Sequence, residues 1–193
     1  MSKKTLRNAY KDKQVGDRFE FGNYPQGAND EVMPIIWRIL HHDSDGYLVV
    51  AEQGLDCRPY NEQRCSITWA ECTLRHWLNN EFFNKAFSPE EQSLIKTANI
   101  SNNAGPSTDD HIFLLSFDEV ESFFADDKDR EAKPTAYAIK NNACTDTVGN
   151  AWWWLRSRGG ISSYAADVYC FGKYYSCYVN EYVVSVRPAF LAI

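Results

Sequence analysis

Long apolar runs are missing from this chain. None approaches the ~20 consecutive apolar residues that cross a bilayer, so no membrane insertion is expected. Met1-Ser2-Lys3-Lys4 leads into polar residues and not into an apolar stretch with a cleavage site, so no secretory signal is read. A cytoplasmic location is therefore the default expectation, with display on a virion or a surface also compatible. An excess of basic residues is missing as well. The chain has 20 Lys and Arg against 26 Asp and Glu, a net charge of -6. A nonspecific nucleic-acid binder carries a basic footprint, so no nucleic-acid partner is expected. Paired C-x-x-C knuckles are absent from the six Cys, which stand at 57, 65, 72, 144, 170 and 177. That spacing argues against zinc. A chain of 193 residues does not need a disulfide scaffold, and the thiols are read as mostly reduced.

Histidine is scarce too, with 4 residues. His41 and His42 are adjacent in a strand-like run, and adjacent strand residues point to opposite faces, so they cannot easily share one ion. His76 and His111 stand alone. There is no H-E-x-x-H, no phosphate-cradling Gly loop and no Ser-His-Asp order. No catalytic residue, no metal and no cofactor is assigned.

What is present is aromatic: 6 Trp, 11 Tyr and 11 Phe. With 44% hydrophobic residues and mixed charge, the chain reads as one globular domain over residues 15–193 behind a loose polar arm over 1–14. Alternation predicts strands over Asp17–Gly22, Pro34–Leu40 and Tyr47–Glu52, with a turn at Asn23–Gly27 and a hairpin turn at Asp43–Gly46. Capping boxes are expected at Thr68/Glu71 and Ser88/Glu91, the second with Pro89 at the first helical position. Ser116–Glu119 starts a third helix running through Val120 and Phe124. Pro134–Ile139 suits a short helix and His111–Leu115 a buried strand. The run Asp126–Glu131 reads as solvated charge. Short strands at both ends with helices between them predict an α+β domain.

The last forty residues depart most from average composition. They open at Trp152-Trp153-Trp154 and close at Val186-Arg187-Pro188-Ala189-Phe190, and Tyr, Ser, Gly and Asn fill the interval. Tyr offers large amphipathic contact area at low entropy cost, and small polar residues offer adjustable hydrogen bonds, the composition of a binding surface. Trp153, Leu155, Ala165, Ala166, Val168, Gly172, Val179 and Val186 are expected to pack the scaffold. Ligand-contact candidates, within 157–185, are Ser163, Tyr164, Asp167, Tyr169, Phe171, Tyr174, Tyr175, Ser176, Tyr178, Asn180 and Tyr182. Arg156 and Arg187 are expected to pair with a buried carboxylate or a backbone carbonyl.

Several motifs carry a resemblance along nearly the whole chain: Gly16-Asp17-x-Phe19-x-Phe21-Gly22, Ile36-Trp37-Arg38-Ile39-Leu40, Gly54-Leu55-Asp56-Cys57-x-Pro59-Tyr60, Trp69-x-x-Cys72-x-Leu74-Arg75, Trp153-x-Leu155-Arg156-Ser157 and Val186-Arg187-Pro188-Ala189. Together they resemble a bacterial family of domains of unknown function, DUF6273-like, related to the C-type-lectin and formylglycine-generating-enzyme folds. That resemblance implies a C-type-lectin-like fold whose N- and C-terminal strands pair, Phe19 and Phe21 meeting Val186, Ala189 and Leu191. It also implies a C-terminal ligand face for a protein or glycan partner. Some proteins of this fold class resemble the variable proteins of diversity-generating retroelements, in which Asn codons scatter to residues such as Tyr, Ser, Asp, Cys and Gly. From Arg156 to Ile193, only Lys173 and Glu181 belong to the set that such scattering cannot reach. Strand composition alone also depletes Lys and Glu. Calcium-lectin signatures are absent, so no calcium-dependent sugar site is expected. Two alternatives stand beside recognition: an oxidase-like enzyme using Cys170 or Cys177, and an accessory domain without its own ligand. The oxidase reading lacks a nearby basic residue to activate either thiol.

Overall fold

The computed structural model describes residues 10–193. The fold is α+β with mostly antiparallel sheets. Strands β1 (Arg18–Pro25), β2 (Val32–Asp43), β3 (Gly46–Ala51) and β11 (Ala189–Ala192) form a four-stranded sheet in the order β1-β2-β3-β11. Alternation sets its facing: Phe19, Phe21, Ile35, Trp37, Ile39 and Val49 are buried. β1 runs on through Pro25, so the expected turn at Asn23–Gly27 shifts to the segment after it. Gly46 closes the β2–β3 hairpin at φ 132, where a Cβ would lie 2.2 Å from the Ala192 carbonyl oxygen. The loop residues Ser44 and Asp45 keep negative φ, so the turn is not of the primed type and the positive φ falls on the glycine that follows it. His41 stacks on Phe123 and His42 on Tyr47, on opposite sides of β2 as strand alternation requires.

The expected pairing of the terminal strands is corrected by this sheet. β1 pairs only with β2, and β11 pairs with β3 through Ala189↔Val50, Phe190↔Val49 and Leu191↔Leu48. The β2–β3 hairpin stands between them because a tight turn makes sequential strands neighbours. The ends still share one core, with the Phe21 and Phe190 rings 5.7 Å apart. Tyr10, within the segment expected to be a loose arm, is fully buried and donates to the Ile193 carbonyl at 2.7 Å. Residues 1–9 of that arm lie outside the described residues.

Among the described residues, six short α-helices fall between β4 and β7 in the chain: α1 (Thr73–Trp77), α2 (Phe83–Ala86), α3 (Pro89–Gln92), α4 (Phe117–Phe123), α5 (Asp127–Arg130) and α6 (Ala136–Lys140). Ser88 and Ser116 each form a complete capping box, with Glu91 and Glu119. Thr68 does not. Trp69–Glu71 is a single 3-10 turn with no side-chain cap, and the Cys72 sulfur accepts the Arg75 N–H instead, starting the helix four residues later. A π-helical turn, Leu78–Phe82, continues α1 into α2. Residues 112–115 are buried as expected, yet they form no strand; only Phe113 bridges to Ala189. The Asp126–Glu131 run is less solvated than its charge suggests. Asp129 takes both guanidinium nitrogens of Arg38, at 2.7 and 2.9 Å, and Arg130 is buried.

The second sheet runs β4-β10-β7-β8-β9, from β4 (Asp56–Cys57), β10 (Ser185–Val186), β7 (Trp153–Arg158), β8 (Tyr164–Val168) and β9 (Tyr174–Tyr178). Its β10–β7 pair is parallel. β5 (Ala98–Ile100) and β6 (Thr108–Asp110) form a separate ribbon. Trp153, Leu155, Ala165, Ala166, Val168, Gly172, Val179 and Val186 are all buried, which is the scaffold expected of them. Arg156 grips Glu119 with two nitrogens and donates to the Leu114 carbonyl. Arg187 has no carboxylate partner among the described residues. Its Nε donates to the Ala51 carbonyl and its guanidinium lies over the Trp153 ring at 4.8 Å, while burial pushes its pKa down to about 10.

Candidate functional site

Register decides where the contact candidates point. On β8 and β9, Tyr164 opposes Tyr178, Ala166 opposes Ser176, and Val168 opposes Tyr174. Asp167 opposes Tyr175 and Ala165 opposes Cys177. Directly opposed residues share a face and successive residues alternate, so the expected single Tyr-rich surface is divided between two faces.

On the first of these faces the tyrosines are already engaged. Tyr164 and Tyr178 meet edge to face at 4.5 Å, and the Arg64 guanidinium lies 3.4 Å from the Tyr178 ring centroid. Tyr174 packs on Phe117 at 4.4 Å and under Arg130 at 4.7 Å. Burial pushes the Tyr174 hydroxyl up to about 12. Tyr174 and Tyr178 are half-buried and not the open rings expected of them. Ser176 lies between them in the same half-buried state, and Ser163 uses its carbonyl to accept the Val179 N–H at 3.0 Å.

The opposite face carries a linked aromatic cluster. Trp152 contacts Tyr169 at 4.4 Å, Tyr169 contacts Phe171 at 4.7 Å, and Tyr169 contacts Tyr175 at 5.1 Å. Phe171 and Tyr175 remain 43% and 53% exposed. β9 is the edge strand of its sheet, which leaves this cluster at an open margin. Below it the β8–β9 turn is fixed. Gly172 has φ 77, and a Cβ there would fall 1.6 Å from the Asp127 carbonyl oxygen. Arg130 Nε donates to the Gly172 carbonyl at 2.8 Å. Tyr182 is exposed on the following loop, 181–184, and Asn180 is half-buried just before it. Trp152 had no assigned role in the sequence, although its i, i+2 relation to Trp154 was a usable signal. Arg64 and Arg130, which cover the other face, had none, because they are far from the tyrosines in sequence.

Asp167 does not behave as a contact residue at the surface. It is 1% exposed; the Cys177 thiol is its one polar neighbour, and no cation or backbone N–H among the described residues bonds either carboxylate oxygen. Burial pushes its carboxyl up to about 6, with the Cys177 thiol the polar neighbour that opposes the shift. The Cys177 thiol is itself pushed well up by burial and by Asp167. Burial and Asp146 raise the Cys170 thiol. All six cysteines are free. Reactive thiols need the opposite environment, electropositive and partly open. Among the described residues no three His, Cys, Asp or Glu side chains gather in a metal-holding group, and no helix is long and apolar enough to cross a membrane.

A cleft of about 660 Å³ opens beside β4, lined by Asp56, Arg58, Gln63, Lys140, Asn142 and Tyr182 among others. Asp56, Arg58 and Lys140 are each engaged within the protein. Asp56 accepts from the Tyr24 hydroxyl at 2.8 Å and from Asn141 at 3.0 Å. Arg58 stacks over Trp77 at 4.3 Å, and Lys140 pairs with Asp30 at 2.6 Å. The aromatic margin, with a buried carboxylate that no cation compensates, is the stronger candidate.

The chain is thus an α+β domain with a linked aromatic cluster, partly exposed, over a fixed turn. The family that matches it is described as a domain of unknown function (DUF6273), and the match covers residues 44–192. The chain belongs to this family. No curated protein and no solved structure was found to match it.

Proposed function

We propose that this protein is a recognition domain on a C-type-lectin-like scaffold, binding a protein or glycan partner through Trp152, Tyr169, Phe171 and Tyr175. One observation carries the reading: these four rings touch one another at the sheet margin while Phe171 and Tyr175 stay exposed. Aromatic hot spots clustered over a rigid base are the usual energetic centre of an interface. The scaffold assignment is supported by the first and last strands, β1 and β11, sharing one sheet as its two edges and by the C-terminal strands building a second sheet that bears the rings. The raised thiols of Cys170 and Cys177 favour recognition over an oxidase.

The reading extends to a diversified surface, in which positions such as Phe171, Tyr175 and Tyr182 vary over the fixed Val168, Gly172 and Val179. A reverse-transcriptase gene beside an imperfect repeat of this coding segment would establish that part. The recognition claim is tested by comparing the wild type with the Phe171→Ser/Tyr175→Ser double variant on glycan and peptide arrays. Ligands bound by the wild type and lost by a double variant that still folds support the proposal. Equal binding by both proteins contradicts it.

A further inference from the structure

The two faces of the β8–β9 pair differ in one respect that bears on ligand chemistry. On the first face two tyrosines carry cations of the protein's own: Arg64 over Tyr178 and Arg130 over Tyr174. On the opposite face, no cation lies over Trp152, Tyr169, Phe171 or Tyr175 among the described residues. Ring faces carry negative potential and attract ammonium and guanidinium groups. The same face holds Asp167, directly across from Tyr175 and 1% exposed, with the weakly donating Cys177 thiol beside it and no cation bonded to its carboxylate among the described residues. A buried carboxylate with no cation to compensate its charge is costly, and a cation brought to it relieves that cost. Lys173, in the adjoining turn, is exposed and forms no ion pair with Asp167 among the described residues. The chain as a whole carries a net charge of -6.

We infer that this face selects a basic side chain, a Lys ammonium or Arg guanidinium presented by a partner protein, which lies on the Tyr169 and Tyr175 rings and pairs with Asp167. The inference rests on the recognition reading above and names the chemistry of its ligand. Tyr175, opposite Asp167 and 53% exposed, is free to shift while keeping its face on the cation, and the carboxylate then gains a charged partner.

The test uses blocked fluorescent peptides that alternate Gly with Lys, Arg, Gln or Glu, titrated against the full chain. The Lys and Arg peptides are expected to bind, and the Gln and Glu peptides are not. Asp167→Asn should weaken the basic peptides about tenfold or more, as loss of one partner of a desolvated charge pair does. Asp12→Asn removes one exposed carboxylate elsewhere and should change little, which separates the site from the general negative charge. Unchanged binding by Asp167→Asn, equal binding of the Gln peptide, or no binding of either basic peptide overturns the inference. The recognition reading fails separately. If Asp167→Asn binds like the wild type while Phe171→Ser/Tyr175→Ser loses all binding, the aromatic face stands and its cation selectivity falls.

Discussion

Asp167 stands beside Trp154 on β7 and Tyr175 on β9, in the middle of three strands. Its ionisation there has a consequence for stability. Burial raises the folded carboxyl from 3.8 to about 6, so the folded state holds its proton more tightly than the unfolded chain. For an acid raised in this way, the folded state is favoured at low pH and loses stability as pH rises through that window. The full loss is about 3 kcal/mol, since each tenfold change in proton affinity is worth about 1.4 kcal/mol. Asp167→Asn cannot ionise, so it should be more stable than the wild type above pH 6, with the advantage vanishing below 3.8. Denaturant titrations of both proteins across that window check it; parallel pH profiles would contradict the assignment. None of this was legible in the sequence, where Asp167 is one polar residue among tyrosines and reads as surface. The register that buries it depends on β7 and β9 together, and alternation along β8 alone carries no trace of either.

Elements were legible in proportion to how local their determinants are. The strands β1, β2 and β3 follow from alternation, and α3 and α4 follow from Ser88 and Ser116 with a Glu three residues on. Thr68 has the same spacing to Glu71 and fails. Cys72 caps the helix there, a role that a thiol does not advertise in sequence. The segment 112–115 reads as a strand because it is apolar, yet buried apolar runs do not require a ladder. The β8–β9 turn is the element on which the candidate site depends. Gly172 supplies its positive φ and the clearance to Asp127, two demands that no other residue meets. Gly172→Ala should destabilise the domain by about 2–4 kcal/mol through strain and overpacking together. A chemical-denaturation midpoint within error of the wild type would show that the turn tolerates a Cβ.

At the scale of the whole molecule, α+β composition was legible and strand order was not. Phe19, Phe21 and Phe190 are core residues as their pattern implies, but which strands neighbour each other is fixed by the β2–β3 hairpin, far from either end. The same holds for the Tyr-rich segment. Its composition predicts one continuous surface, while the register splits it into a face engaged by Arg64 and Arg130 and a face left open. Surface substitutions away from packed features change stability little, whereas truncating packed aromatics costs several kcal/mol. The central claim is therefore tested most directly by equilibrium unfolding of Phe171→Ser/Tyr175→Ser beside Tyr174→Ser. The account predicts that the double variant stays within about 1 kcal/mol of the wild type, and that Tyr174→Ser, which loses its contacts to Phe117 and Arg130, falls further. A double variant destabilised by about 3 kcal/mol or more, the cost of truncating a core ring, would contradict it and make the cluster part of the core.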